Sequence, residues 1–382
     1  MVYIDPEFVL PTIPENESGG GTEVDANVLA ALPEGTVIKW VQPYGISFWA
    51  LSKTVDAIMP DGREQRYFLK VYNAARAFEI ARGEYESTKE LVAAIPGGAP
   101  TPVGFGVYAD DPTRAFFLAE FRDMKDVLPG DKELVSLVAK IHQKTSPNGK
   151  FGYHVTTFSG KHPTDTTWCD TWEEFFTRSM KDTMQAELAT QGPHAELEEL
   201  SEKILTKVIP RLIRPMETGG RKITPVLVHG DLWHGNISVD CETEEPVVYD
   251  PCCFYGHNEY DFSMWRADRY RTKDRHVSAY FDLPGMEPNE PSDEVWDRNA
   301  LYAMRSDLAV SILWPANKNM RELALNEMRR LVAKYGEGYT DEEYIVVSEA
   351  PQEVLSGESS VGEDDKGHFN WKSGLMPVPT NA

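Results

Sequence analysis

The chain has 382 residues, with 38 Lys+Arg against 61 Asp+Glu and a formal net charge of −23. Such an acidic chain disfavours nucleic-acid phosphates and anionic lipid as partners, though a local cationic pocket can still hold a small phosphorylated ligand. The length suffices for a bilobed enzyme with a sizeable core, and 41% hydrophobic with 26% charged residues is ordinary for a folded protein.

Residues 1–27 carry six acids and no Lys or Arg, and their Pro, Glu and Gly content reads as a flexible acidic extension. They lack the basic and apolar stretches of a signal peptide, and no run reaches the ~18 apolar residues of a membrane span. A cytoplasmic protein is expected. From Thr36 the runs TVIKWVQ and FWALSKTVDAIM read as strands around Pro43–Gly45, and Pro60-Asp61-Gly62 turns the chain into RYFLKVY, a hairpin. Residues 74–95 change to a helical period, and a Pro/Gly-rich stretch then leads to the apolar run AFFLAEF. Residues 28–119 thus form a small sheet lobe with one helix.

From 131 the pattern is mostly helical: DKELVSLVAKIHQKT, WEEFFTRSMKDTMQAELATQ and HAELEELSEKILTKVIPRLI, with a polar loop around 151–160. Two short apolar runs, PVLVHGD and PVVYD, interrupt the helices, which resume through about Tyr335. Residues 120–340 form this larger lobe, and 341–382, with nine acids and two lysines, form a second acidic extension. The two ends therefore hold more than half of the net charge. The expected fold class is α+β and bilobed, a small antiparallel-sheet N-lobe and a larger mainly helical C-lobe. Cys169, Cys241, Cys252 and Cys253 form no CxxC pair and are expected as free thiols.

The most informative stretch is 226–251, VLVHGDLWHGNISVDCETEEPVVYDP. If its two apolar runs pair as antiparallel strands, Asp231, Asn236 and Asp250 come together as hard oxygen ligands suited to Mg²⁺. Phosphoryl transfer needs such a set: a proton acceptor, Mg²⁺ ligands and a cation on the phosphates. His229 and His234 do not have the HExxH interval, so no zinc is expected. Lys70, between Leu69 and Val71 in an apolar strand, either snorkels or serves a buried anion. Its partner carboxylate on the next helix is Glu79, Glu84 or Glu86. Neither GxGxxG nor GxxxxGK[ST] is present. The candidate phosphate cover, 43–50, has the single glycine Gly45 and reads equally as an ordinary tight turn.

The Asp-to-Asn interval is that of the protein-kinase catalytic loop, with Gly230 in the place of its Arg. The chain resembles the fructosamine kinase (ketosamine-3-kinase) family, which has an aminoglycoside phosphotransferase-like, protein-kinase-like fold. Asp231-Leu232-Trp233 with Gly235-Asn236, Tyr249-Asp250-Pro251, and Phe254-Tyr255-Gly256-His257 with Glu259 and Asp261 carry the resemblance. Lys150–Thr156 with Gly160, ahead of Trp168 and Trp172, adds to it, and the likeness runs from roughly Trp40 to Tyr335.

This resemblance implies Asp231 as catalytic base, Asn236 and Asp250 as Mg²⁺ ligands, and Lys70, paired with Glu84, on the ATP phosphates. Gly45 would lie in the nucleotide loop, and Glu120 and Phe121 would meet adenine through backbone groups. Trp233 either stacks on an apolar sugar face or packs under the loop. His154, His257 and Glu259 are candidates for substrate contact or loop bracing. The implied reaction moves the ATP γ-phosphate to the 3-hydroxyl of a ketosamine, free or on a glycated protein, and leads to deglycation. The alternatives are an aminoglycoside- or choline-kinase-like activity and a non-catalytic nucleotide-binding regulator. Some family members carry a nucleotide-loop cysteine that makes a redox-sensitive dimer; 42–50 has none.

Overall fold

Strand alternation and one helical stripe build the first lobe. The computed structural model describes residues 19–46 and 49–340. Helix α1 (Ala26–Ala30) is followed by β1 (Val37–Ile46), β2 (Ala50–Ile58), β3 (Glu64–Asn73), α2 (Ala77–Ala94), β4 (Pro102–Val107) and β5 (Arg114–Glu120). The five strands form one antiparallel sheet in the order β1-β2-β3-β5-β4. Successive side chains leave a strand on opposite faces. Leu69 and Val71 accordingly join the core beside Val28 and Leu32, whereas Tyr72 packs with Ala77, Ile80 and Ala81 of α2. Lys70 shares the Tyr72 face.

On α2 the buried positions Ala77, Ile80, Ala81, Glu84, Ser87, Thr88 and Leu91 form one stripe at helical spacing. Glu84 therefore faces the sheet. Glu79 pairs instead with Arg76 at 2.9 Å, and Glu86 lies 3.6 Å from Lys89, which distinguishes the three carboxylates.

The start of the lobe differs from the expected flexible extension. Gly21 and Val41 exchange backbone hydrogen bonds of 2.9 and 2.7 Å. Asp25 caps α1 by accepting from the Asn27 N–H at 2.8 Å, and its second oxygen accepts from the Ala109 N–H at 2.8 Å. Residues 19–27 are thus tied to the sheet; 1–18 and 341–382 lie outside the described residues.

A short strand, β6 (Met124–Lys125), leads to α3 (Asp131–His142), β7 (Thr157–Ser159), β8 (His162–Thr164) and α4 (Trp172–Gln191). The run read as one further helix divides into α5 (Ala195–Lys203) and α6 (Ile209–Ile213) around a π-helical turn, Ile204–Val208. Pro210, which lacks an N–H, follows that turn and interrupts the ladder. Then come β9 (Val226–Val228), β10 (Ile237–Asp240), β11 (Pro246–Val248), β12 (Phe254–Gly256), α7 (Asp274–Phe281), α8 (Val295–Leu313) and α9 (Asn319–Tyr335). Trp172, Phe175, Phe176, Phe254 and Tyr302 are buried together at the centre of this lobe. The Trp172 indole N–H donates to the Tyr302 hydroxyl at 2.9 Å, so even the polar edge is satisfied. Among the described residues no helix is long and apolar enough to cross a membrane.

One expected pairing is corrected. The runs at 226–228 and 246–248 do not pair with each other: β9 pairs with β12, and β11 pairs with β10. Both runs are equally apolar, so nothing local specifies the partner: β11 takes the preceding β10, whereas β9 passes over both to pair with β12.

Candidate active site

The two ribbons still bring the expected residues together. Cys252 N–H donates to His229 O at 3.0 Å and Tyr249 N–H to Asn236 O at 3.1 Å, which stitches the 229–236 loop to the 249–252 segment. Gly230 has φ +83, and a Cβ there would stand 2.4 Å from Cys252 O, so neither the turn nor the approach tolerates a side chain. The Asp261 carboxylate accepts from the His229 and Gly230 N–H groups at 2.7 and 2.8 Å, fixing the backbone just before Asp231. His142 holds the same carboxylate at 3.2 Å. His229 lies between the Asp231 N–H, 3.3 Å from Nδ1, and Tyr249 O, 3.1 Å from Nε2. That pattern assigns Nδ1 as acceptor and Nε2–H as donor, a neutral ring, and burial lowers its pKa in agreement.

Asn236 donates its side-chain N–H to Asp231 O at 2.8 Å and to Asp231 Oδ2 at 3.1 Å. Its amide oxygen is then the atom left for an ion. Asp250 takes φ +55, a left-handed conformation that Asp tolerates better than most residues. Across the cleft, Lys70 Nζ lies 3.0 Å from Glu84 Oε1 and 2.9 Å from Asp250 Oδ1. Burial opposes the Lys70 charge, but Asp250 and Glu84 outweigh it and hold the ammonium above its usual pKa. Burial pushes the Glu84 carboxyl up, against the pull of Lys70. Burial and then the Asp250 charge push Asp231 up to about 7. Two carboxylates thus hold one ammonium, with a third, Asp231, in the same cleft.

These groups line a cleft of about 1030 Å³ between the lobes, whose walls include Lys70, Glu84, Asp231, Trp233, Asn236 and Asp250.

The sequence matches the fructosamine kinase family over residues 52–311. The chain belongs to that family. A chloroplastic protein-ribulosamine 3-kinase of Oryza sativa subsp. indica is 32% identical over 193 residues, 50% of this chain and 52% of that one. The Mus musculus ketosamine-3-kinase is 27% identical over 228 residues, 53% of this chain and 70% of that protein. The chain spans about half the length of the plant relatives it matches. A Thermobifida fusca crystal structure provisionally named a fructosamine-3-kinase is 21% identical, with a TM-score of 0.63 over 82% of this chain and 99% of that one. An aminoglycoside phosphotransferase in a ternary complex with AMP-PNP and hygromycin B is 14% identical, with a TM-score of 0.52 over 83% and 99%. These two establish the bilobed kinase-like fold.

Within this family member the remaining candidates separate. Gly45 lies in β1 opposite Ser52, and Glu120 ends β5 with its N–H donated to Thr101 O at 2.8 Å. Phe121 meets the Tyr44 ring edge-on at 5.3 Å. All three sit on the sheet side of the interlobe boundary and do not line the cleft. Ser47 and Phe48 of the candidate phosphate cover lie outside the described residues. Trp233 lines the cleft and also covers Gly235, where a Cβ would meet its ring at 2.3 Å; lining and packing under the loop hold together.

His154 is half-exposed beside Glu86 of α2, 3.4 Å away, and is not part of the cleft. His257 is fully buried, with Nδ1 3.0 Å from the Tyr302 hydroxyl. Glu259, also buried, takes a bidentate pair from Arg298 at 2.7 Å on both oxygens. Neither residue lines the cleft; Glu259 is turned to Arg298, while His257 Nε2 is buried without a hydrogen-bond partner, 3.8 Å from Glu259 Oε1.

Sequence reasoning missed further lining residues, Arg266, Arg269, Tyr270, Asp307 and Trp314, whereas Trp49 falls in the 43–50 segment read as the phosphate cover. No spacing marks them. The bracing role of Asp261 was missed too, although it falls within the 254–261 motif.

Proposed function

We propose that the protein transfers the γ-phosphoryl group of ATP to the 3-hydroxyl of a ketosamine. The observation that carries this is the Lys70–Glu84–Asp250 cluster facing Asp231 and Asn236 in one cleft, in a chain of this family. Asp231 accepts the hydroxyl proton as the oxygen attacks phosphorus. Its elevated pKa keeps it basic enough for that task near neutral pH, and its hydrogen bond to Asn236 fixes its orientation. Lys70, held between two carboxylates, presents a fixed cation to the ATP phosphates. Trp233, two residues beyond the base, offers its ring to the apolar face of the sugar.

The donor set also fits Mg²⁺. Among the described residues no three His, Cys, Asp or Glu side chains cluster as a protein cage. Mg²⁺ is typically held by one or two protein oxygens plus substrate phosphates, and Asn236 and Asp250 supply that number. The surplus of carboxylates over Lys70 favours a divalent cation at the same place. Held by Asn236 and Asp250, Mg²⁺ would supply neutralisation of the phosphate charge. The phosphorylated product sheds its sugar, so the activity serves deglycation of small amines or proteins. Four free cysteines suit a cytoplasmic setting.

The test is purified protein with Mg·ATP and a panel of fructosyl-lysine, ribulosyl-lysine, choline and kanamycin. Phosphorylation of a ketosamine is expected. Turnover of choline or kanamycin alone would overturn the substrate class, and nucleotide binding without turnover of any acceptor would overturn catalysis.

A further inference from the structure

The cleft is aromatic at two stations. Beside the base, the Trp233 and Tyr270 rings lie 5.9 Å apart. At the lobe boundary Trp49, from the loop between β1 and β2, meets Trp314, which follows α8, with centroids 5.8 Å apart and planes tilted by 57°. Gly160 makes room for this second pair: a Cβ there would stand 3.1 Å from both the Trp49 ring and Leu313. Leu323 of α9, 44% exposed, and Met320 extend the apolar wall.

The charged groups on this wall already have partners. Arg269 pairs with Asp307 and Arg266 lies 3.7 Å from Glu327, while the Asp268 side chain, 3.8 Å from Lys273, stands fully in solvent. Neither arginine presents an uncompensated charge to a ligand. Glu120 and Phe121, which the resemblance places at adenine, do not line this volume of about 1030 Å³. It is shared by the phosphates and the acceptor.

A ketosamine carries its reacting hydroxyl on C3 and its amine on C1. With the hydroxyl at Asp231 and the sugar on Trp233, the amine substituent has to leave along the cleft. We infer that Trp49 and Trp314 form a subsite for that substituent, one that selects apolar and above all aromatic amines over charged ones. The inference rests on the proposed kinase reading. The wall is already charge-compensated, so a charged substituent would lose hydration there without a new partner, whereas a phenyl group trades water for ring contact. The ammonium on C1 gains in addition from the aromatic faces.

The experiment compares fructosyl-glycine, N-butyl-fructosamine and N-benzyl-fructosamine as acceptors, using the full chain with Mg·ATP. Burying a phenyl group is expected to lower KM for the benzyl compound at least about tenfold relative to fructosyl-glycine. Trp314→Ala should bring that ratio to within about twofold, and Trp314→Phe should retain most of it. Leu323→Glu, at an exposed position that folding tolerates, should lower the ratio at least about threefold. Equal KM values for the three acceptors in the wild type, or full discrimination in both Trp314→Ala and Leu323→Glu, would overturn the subsite. Calorimetric binding of N-benzyl-fructosamine keeps the two readings apart. If no ketosamine is phosphorylated, the kinase reading falls, while binding that Leu323→Glu weakens upholds the subsite and absence of binding to the wild type overturns it.

Discussion

The two walls of the cleft are built on different principles. On one, Lys70, Glu84, Asp231, Asn236 and Asp250 are charged or amide groups locked to one another at 2.9–3.1 Å. On the other, Trp49, Trp314 and Leu323 present rings and apolar chains, and Arg266 and Arg269 beside them are each met by a carboxylate. The first wall suits a reaction in which charge moves between fixed points, where preorganised groups act without reorganising. The second suits an acceptor whose shape varies. On the proposed reading, chemistry that is common to a class of enzymes and recognition that is particular to one substrate would occupy different parts of the same cleft.

The sharpest way to break this contrast is Asp231→Asn, which preserves shape and removes the base. It should lower kcat by at least about 10²-fold while leaving nucleotide binding in place, as read by calorimetry. The pH profile probes the same wall. Asp231 sits at about 7 and acts in its ionised form, so kcat/KM should fall about tenfold per pH unit below 7 and level off above it. A profile flat down to pH 5 would remove Asp231 as the proton acceptor.

A third test separates both walls from the core behind them. Arg298→Met strands the buried Glu259 carboxylate and should cost about 3–5 kcal/mol in chemical denaturation. The fraction that remains folded should keep its KM values, since neither residue reaches the cleft; a raised acceptor KM would return Glu259 to the substrate. The smallest effect is expected at His154→Ala, within about twofold in every kinetic constant, because its ring is half in solvent beside Glu86.

The same contrast explains what the sequence disclosed. Lys70 stood out as a charge between Leu69 and Val71 in a strand, and Asp231 and Asn236 stood out because they lie five positions apart in one loop. Glu84 could have been chosen over Glu79 and Glu86 from the residues alone, since only it falls on the stripe of Ala77, Ile80, Ala81, Ser87 and Leu91. The acceptor wall was hidden because it gathers residues near 49, 160, 266–270 and 303–323. An apolar residue on a helix that lines a pocket is written like one that fills a core. His257 and Glu259 show the converse: polar residues in a recognisable motif suggest ligands, yet His257 Nδ1 meets Tyr302 and Glu259 meets Arg298. The partner of each strand in 226–256 was equally illegible, as pairing depends on loop length and packing rather than on the runs themselves.

The Gly21–Val41 backbone exchange bears on how molecules of this protein meet one another. Strand β1 is an outer strand of its sheet, and an outer strand offers unpaired amides and carbonyls to any neighbouring chain. The segment at 21 covers part of that row from within the same molecule. A truncation beginning at Ala26 would uncover it beside Val37 and Trp40, both exposed and apolar. The first sign of the loss would be self-association rather than impaired turnover.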